Sequence, residues 1–197
     1  MELGALLRLN ELWMPVYPYL ARHVQEILPP GVKEILELGP FSGGITWALA
    51  EVWPYAFFTI GEERQEVRDW LEEESQKRGL LNRVSLVNTP LKPLAFPDER
   101  FEAVIFRGAF FFLEVEVLKE IYRILKRGGR GFVGGGFGKF TPPTVIKSIA
   151  EESRRLNYQL GKRWLAVEEV RDIILAAGLA PSCQICTEGG LWVIVEK

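Results

Sequence analysis

The sequence predicts an α/β protein: a doubly wound, mainly parallel sheet of seven strands that closes with a C-terminal antiparallel hairpin. Three observations carry that reading. Short apolar runs alternate with amphipathic stretches along most of the chain. The first run stops in a glycine-rich turn. The last run is joined to the one before it through Glu188, Gly189 and Gly190, a turn suited to a hairpin. Alternation of this kind builds βαβ units, and parallel sheets made from them bind ligands at the carboxyl ends of their strands.

The organising stretch is residues 33–51. Ile35, Leu36 and Leu38 read as a buried strand that ends at Gly39, and Ile45, Ala48 and Leu49 repeat at helical spacing beyond Gly43 and Gly44. Glycines let the main chain approach a ligand closely, and free N–H groups at a helix start attract a carboxylate or phosphate. This junction is the expected binding site; an ordinary tight turn is the competing reading. Residues 1–31 form an N-terminal arm, helical on both sides of a break at Met14–Pro18, in which Trp13, Tyr17 and Tyr19 crowd together. Two roles stand open for these rings: packing the arm onto the body, or closing over a ligand where an aromatic face meets a cationic group. Residues 32–197 are read as the main body of a chain that is a single domain overall.

Ala56–Ile60 supplies a second strand, ending at Gly61-Glu62-Glu63 before a charged helix over 64–78. Arg83–Val87 is a third, ending at Asn88-Thr89-Pro90, and Phe101–Phe106 a fourth, ending at Arg107-Gly108. Leu118, Ile121, Ile124 and Leu125 share the apolar face of a helix over 117–125, with Lys126 and Arg127 where the helix dipole favours cations. Gly131–Val133 is the fifth strand. The glycines that follow, 134–138, lack the G-x-x-x-x-G-K-[ST] pattern of a phosphate loop and read as a mobile loop. Helices over 144–160 and 167–177 precede the hairpin of 181–187 and 191–195.

Composition excludes several classes. The 197 residues carry 24 Lys and Arg against 26 Asp and Glu, interspersed along the chain, so no nucleic-acid footprint is visible. No apolar run reaches membrane-spanning length, and the N-terminus lacks a secretion-signal pattern. A soluble, cytoplasmic protein acting on a small molecule is expected. Cys183 and Cys186 have C-x-x-C spacing, but on a strand they face opposite sides; with His23 as the only histidine, no metal site is expected.

Three pieces together, Ile35-Leu-Glu-Leu-Gly-Pro-Phe-Ser-Gly43, Phe96-Pro-Asp-Glu-Arg-Phe-Glu-Ala-Val-Ile105 and Glu120-Ile-Tyr-Arg-Ile-Leu-Lys-Arg-Gly-Gly129, resemble the class I S-adenosylmethionine-dependent methyltransferases of the small, type 11-like branch. The resemblance runs from about Val32 to Lys197 and implies a Rossmann-like methyltransferase fold, S-adenosyl-L-methionine as cofactor, and transfer of its methyl group. It implies that Glu37 and Gly39 face the methionine part of the cofactor, with Pro40, Phe41, Ser42, Gly43 and Gly44 lining it. Gly61 and Glu62 would hold the ribose, Thr89, Pro90 and Leu91 would border the adenine, and Phe106, Arg107 and Gly108 would sit beside the transferred methyl. Tyr17 is added from the arm.

The chain departs from the family pattern at Phe41, where a second glycine is usual, at Gly61 and Pro90, where acidic residues are usual, and at Phe110–Phe112, where relatives carry histidines. Two readings follow from those residues. The first is an enzyme methylating a small or medium apolar acceptor within a rim of Trp13, Tyr17, Tyr19, Phe41 and Phe110–Phe112. The second is an inactive, methyltransferase-like binding or scaffold protein whose pocket is filled by Phe41 and whose arm serves a protein partner or a homodimer. A nicotinamide-dependent oxidoreductase is a weaker third. No catalytic acid or base is identified; Tyr17 and Arg107 are the polar groups to test.

Overall fold

The computed structural model describes residues 1–197. Seven strands, β1 (Glu34–Leu38), β2 (Phe57–Gly61), β3 (Val84–Val87), β4 (Phe101–Arg107), β5 (Leu125–Gly136), β6 (Cys183–Cys186) and β7 (Gly190–Glu196), form one sheet in the order β3-β2-β1-β4-β5-β7-β6. The first five pair in parallel, and β7 pairs antiparallel with both β5 and β6. The expected seven-stranded, doubly wound sheet with a closing hairpin is therefore present.

Successive residues of a strand face opposite sides, and β1 uses this to join two cores: Ile35 packs into one, Leu36 and Leu38 into the other. The N-terminal helices α1 (Leu3–Leu12) and α2 (Tyr17–Ile27) pack on the first side with α3 (Gly44–Val52), α4 (Gln65–Lys77) and α6 (Pro143–Gln159). Helices α5 (Val115–Ile124) and α7 (Val167–Ala176) cover the second. The first core holds 32 buried residues and the second 21, and Leu6, Leu9, Leu20 and Val24 from α1 and α2 belong to the larger. Those four side chains are fully buried, so each contributes roughly 1.5–3 kcal/mol of transfer free energy and the arm is part of the folded body.

The glycine run corrects the sequence reading. Gly134–Gly136 is strand, not mobile loop, with Gly134 opposite Trp192 and Gly136 opposite Gly190. The glycines are there for close approach: a Cβ at Gly134 (φ +154°) would lie 2.2 Å from the Leu191 carbonyl oxygen. Trp192, stacked on Phe132 with ring centroids 4.2 Å apart, occupies the space beside them. The strand also starts earlier than expected, at Leu125; its partner on Phe101 is Leu125 but its partner on Ala103 is Arg130, so residues 126–129 bulge out of the ladder. Cys183 and Cys186 are free thiols on opposite faces, packed against the second and first cores respectively, and burial pushes the Cys183 thiol up to about 11. No helix is long and apolar enough to cross a membrane.

Candidate cofactor cleft and acceptor pocket

The turn after β1 is fixed from within the protein. Gly39 (φ +83°) and Gly43 (φ +103°) take backbone angles that other residues adopt only with strain. A Cβ at Gly39 would lie 2.9 Å from the Phe106 ring, so the neighbour that demands glycine there is a core side chain. The Gly43 and Thr46 amides at the start of α3 both donate to Glu37 Oε2 at 3.0 Å. Glu37 thus occupies the anion site that a free helix start would offer a ligand. Its burial raises its pKa, an effect opposed by the bonds from Thr46 and Gly43 and by the Arg107 charge.

From behind, the arm holds the same turn. Asn10 Nδ2 donates to the Pro40 carbonyl at 2.9 Å. The buried Arg107 guanidinium donates to the Phe41 carbonyl at 3.0 Å, to Asn10 Oδ1 at 3.1 Å and to the Tyr17 hydroxyl at 2.7 Å. The rings of Trp13, Tyr17 and Phe41 surround it, with centroids 4.8, 5.1 and 5.4 Å from its central carbon. The cation that meets these aromatic faces is therefore the protein's own. Burial pushes the Tyr17 hydroxyl up to about 12 against the lowering effect of Arg107. The Tyr17 ring also lies over α3, where a Cβ at Gly44 would come within 2.1 Å of it.

A cleft of about 620 Å³ opens at the carboxyl ends of β1, β2 and β3, within the roughly 300–1,000 Å³ of small-molecule sites. Of the predicted residues it brings together Gly39, Pro40, Gly61, Glu62, Thr89, Pro90 and Leu91. Glu37, Phe41, Ser42, Gly43, Phe106, Arg107, Gly108 and Tyr17 lie behind that lining and do not border it. Phe41 does not fill the cleft; its ring packs on Phe111, 4.8 Å between centroids, and takes the space a Cβ on Gly108 would need. Ser42 Oγ is buried without a hydrogen-bond partner.

Gly61 has no room for the family's acidic side chain, because a Cβ there would lie 2.9 Å from Thr89 Cγ2 and 3.0 Å from Leu38 Cδ2. The next residue carries a carboxylate. Glu62 borders the cleft, nearly buried, with Oε1 accepting from the Arg64 amide at 3.0 Å, and burial raises its pKa. The Thr89 hydroxyl accepts from the Ala95 amide at 2.8 Å and donates to the Pro90 carbonyl at 2.9 Å, which fixes the β3 loop.

A second cavity, about 410 Å³, lies beyond Phe111 against α6 and the segment after it. Trp13, Phe110, Phe137 and Trp164 give it aromatic walls. A small void of about 20 Å³ separates the two spaces, sharing Phe111 with the cleft and Trp13 and Lys162 with the cavity. Trp13 packs the arm onto the body, donating to Ser153 Oγ at 2.9 Å, and lines this cavity; it does not border the cleft at Gly39.

Sequence reasoning missed Asn10 and Lys162. Asn10 carried a weak signal, a polar residue on the apolar face of the arm; Lys162 carried none, sitting in a loop after α6. It also missed that folding brings His23, Cys186 and Glu188 together, with ligand atoms within 4.8 Å of one another. Lys139, paired with Glu26 and 3.7 Å from Glu188, stands beside them, and both His23 ring nitrogens are buried without partners.

Comparison with known proteins agrees with this fold. The methyltransferase domain family matches residues 36–133. A proposed S-adenosyl-L-methionine-dependent methyltransferase from Methanococcus maripaludis superposes with a TM-score of 0.80 at 23% identity, covering 98% of this chain and 91% of its own. A methyltransferase from Aquifex aeolicus gives 0.67 at 13%, covering 99% and 97%. PigF, solved with S-adenosylhomocysteine, gives 0.68 at 17%, covering 96% of this chain and 56% of its own. No curated protein matches the chain. The methyltransferase domain over residues 36–133 and these neighbours support the class I S-adenosylmethionine-dependent methyltransferase family, whose cofactor is S-adenosylmethionine.

Proposed function

We propose that the chain methylates a small or medium apolar acceptor, with S-adenosylmethionine in the 620 Å³ cleft and the acceptor in the 410 Å³ cavity. The observation that carries this reading is the pair of spaces divided by Phe111, one at the strand ends and edged by charged side chains, the other walled by aromatic rings. Bound there, S-adenosylmethionine would supply an electrophilic methyl group to an acceptor heteroatom.

The chain's own residues bind, align and exclude water. Glu62 accepts the ribose hydroxyls in place of the missing side chain at Gly61. Thr89, Pro90 and Leu91 border the adenine with main chain and apolar surface. Gly39 and Pro40 carry the amino-acid end, on a turn held rigid by Asn10, Arg107 and Glu37; Ser42 Oγ is the unpartnered hydroxyl in that turn. Phe41, Phe111 and Gly108 shape the passage in which the methyl group meets the acceptor.

The test is calorimetric titration with S-adenosylmethionine, with thermal shift as the second readout. Saturable binding is expected. No heat and no shift at millimolar cofactor would overturn the reading.

A further inference from the structure

We propose that the aromatic cavity beyond Phe111 selects an acceptor bearing an anionic group, an aromatic carboxylic acid being the simplest member of the class, and that Lys162 is the specificity-determining cation. This rests on the acceptor reading above and narrows it from apolar to acidic.

The argument starts from the charges around the cavity. Arg154 from α6, followed by Lys162 and Arg163 from the next segment, line it, and no Asp or Glu does. Many of the chain's other cations sit against carboxylates, as Arg123 does against Glu120 and Asp98. Lys162 is not: its Nζ rests over the Trp164 ring at 4.5 Å, and no carboxylate contributes to its charge environment. The other cation that acts on it is Arg107 at the end of β4. Burial, then Arg107, lower its pKa to about 8, the direction expected for a cation short of a counter-charge.

An uncompensated ammonium among aromatic rings is stabilised by a ligand that brings a negative charge and a flat apolar body together. Trp13 and Phe137, stacked on each other with centroids 4.8 Å apart, wall the cavity together with Phe110; Lys162 lies where the cavity meets the small void next to Phe111. A carboxylate bound at Lys162 leaves the remainder of an aromatic acceptor within the cavity and its edge towards the cleft.

The experiment compares 1-naphthoate with 1-naphthalenemethanol, matched in ring and differing in charge, by titration calorimetry and by quenching of tryptophan fluorescence. The folded protein is expected to bind the acid about tenfold more tightly than the alcohol near neutral pH. That preference shrinks as pH rises through about 8, since Lys162 loses its proton while the carboxylate stays ionised. Lys162→Gln removes the preference, bringing the acid down to the affinity of the alcohol in the same variant; Lys162→Arg retains it. Equal affinity for acid and alcohol, or a preference that survives Lys162→Gln, overturns the proposal. Cofactor titration of the same samples separates the two readings: cofactor binding without acid preference sinks this proposal alone, and acid preference without cofactor binding sinks only the methyl-transfer reading.

Discussion

The Arg107 guanidinium and the Tyr17 hydroxyl meet at 2.7 Å although 90 residues separate them. That contact ties the arm to the end of β4, and through the Phe41 carbonyl to the glycine turn. Tyr17→Phe is expected to lower unfolding stability by about 1.5–3 kcal/mol, the range for a hydrogen bond to a charged group. Its cofactor affinity is expected to change little, because neither side chain borders the cleft. Urea unfolding alongside cofactor calorimetry checks both halves.

Glu37 gives a second prediction. Glu37→Leu strands the Gly43 and Thr46 amides at the start of α3, at about 1–3 kcal/mol for each donor left unpaired in the interior. Glu37→Gln keeps one acceptor oxygen and removes the buried charge, so it is expected to be far milder. The pH dependence has a definite sign. Burial raises the folded-state pKa of Glu37, so the wild type loses that contribution as pH rises through the raised value, and Glu37→Gln lacks the slope. Denaturant midpoints measured across acid to neutral pH separate the three proteins.

Glu62 tests the cofactor placement directly. Glu62→Ala is expected to weaken S-adenosylmethionine by one to two decades, equivalent to about 1–3 kcal/mol for an unmade hydrogen bond to a buried group. Glu72, exposed on α4 and outside the cleft lining, is the control, and Glu72→Ala is expected to bind as the wild type does. Calorimetry on the two variants decides; equal affinities would move the ribose elsewhere.

His23 makes stability fall on the acid side. Burial first, and then Lys139, hold its pKa below the ordinary 6.5, against the weaker opposite pull of Glu188 and Glu26. The unfolded chain takes up a proton that the folded one resists, so stability present above about 6.5 is lost as pH drops towards the lowered value. His23→Leu removes the titration and two unpartnered ring nitrogens, and is expected to be neutral or stabilising while flattening the acid slope. Unfolding midpoints at pH about 7.5 and about 5 give the comparison.

Local chemistry made the strand ends and the glycine turn legible. Gly39 and Gly43 stand where the backbone takes positive φ, and the apolar run of β1 has nowhere to continue past them. The hairpin of β6 and β7 was legible for the same reason, its turn being made of Gly189 and Gly190. What the sequence hid is set by distance along the chain. Asn10 reaches Pro40 across 30 residues, and Arg107 reaches Asn10 across 97. Gly134–Gly136 reads as flexible in isolation and becomes strand only because Trp192 and Leu191 pair against it. Lys162 lies near Trp164 in sequence, but its other neighbour, Arg107 at the end of β4, is distant along the chain.

The bond from Asn10 to the Pro40 carbonyl means that the ligand-contacting loop inherits its shape from residues upstream of the first strand. A graft or truncation beginning at Val32 would carry every glycine of that loop, with Glu37 and Arg107, but would leave Asn10 and Tyr17 behind. Swapping such segments between relatives therefore requires exchanging the leading helices with them, as one unit.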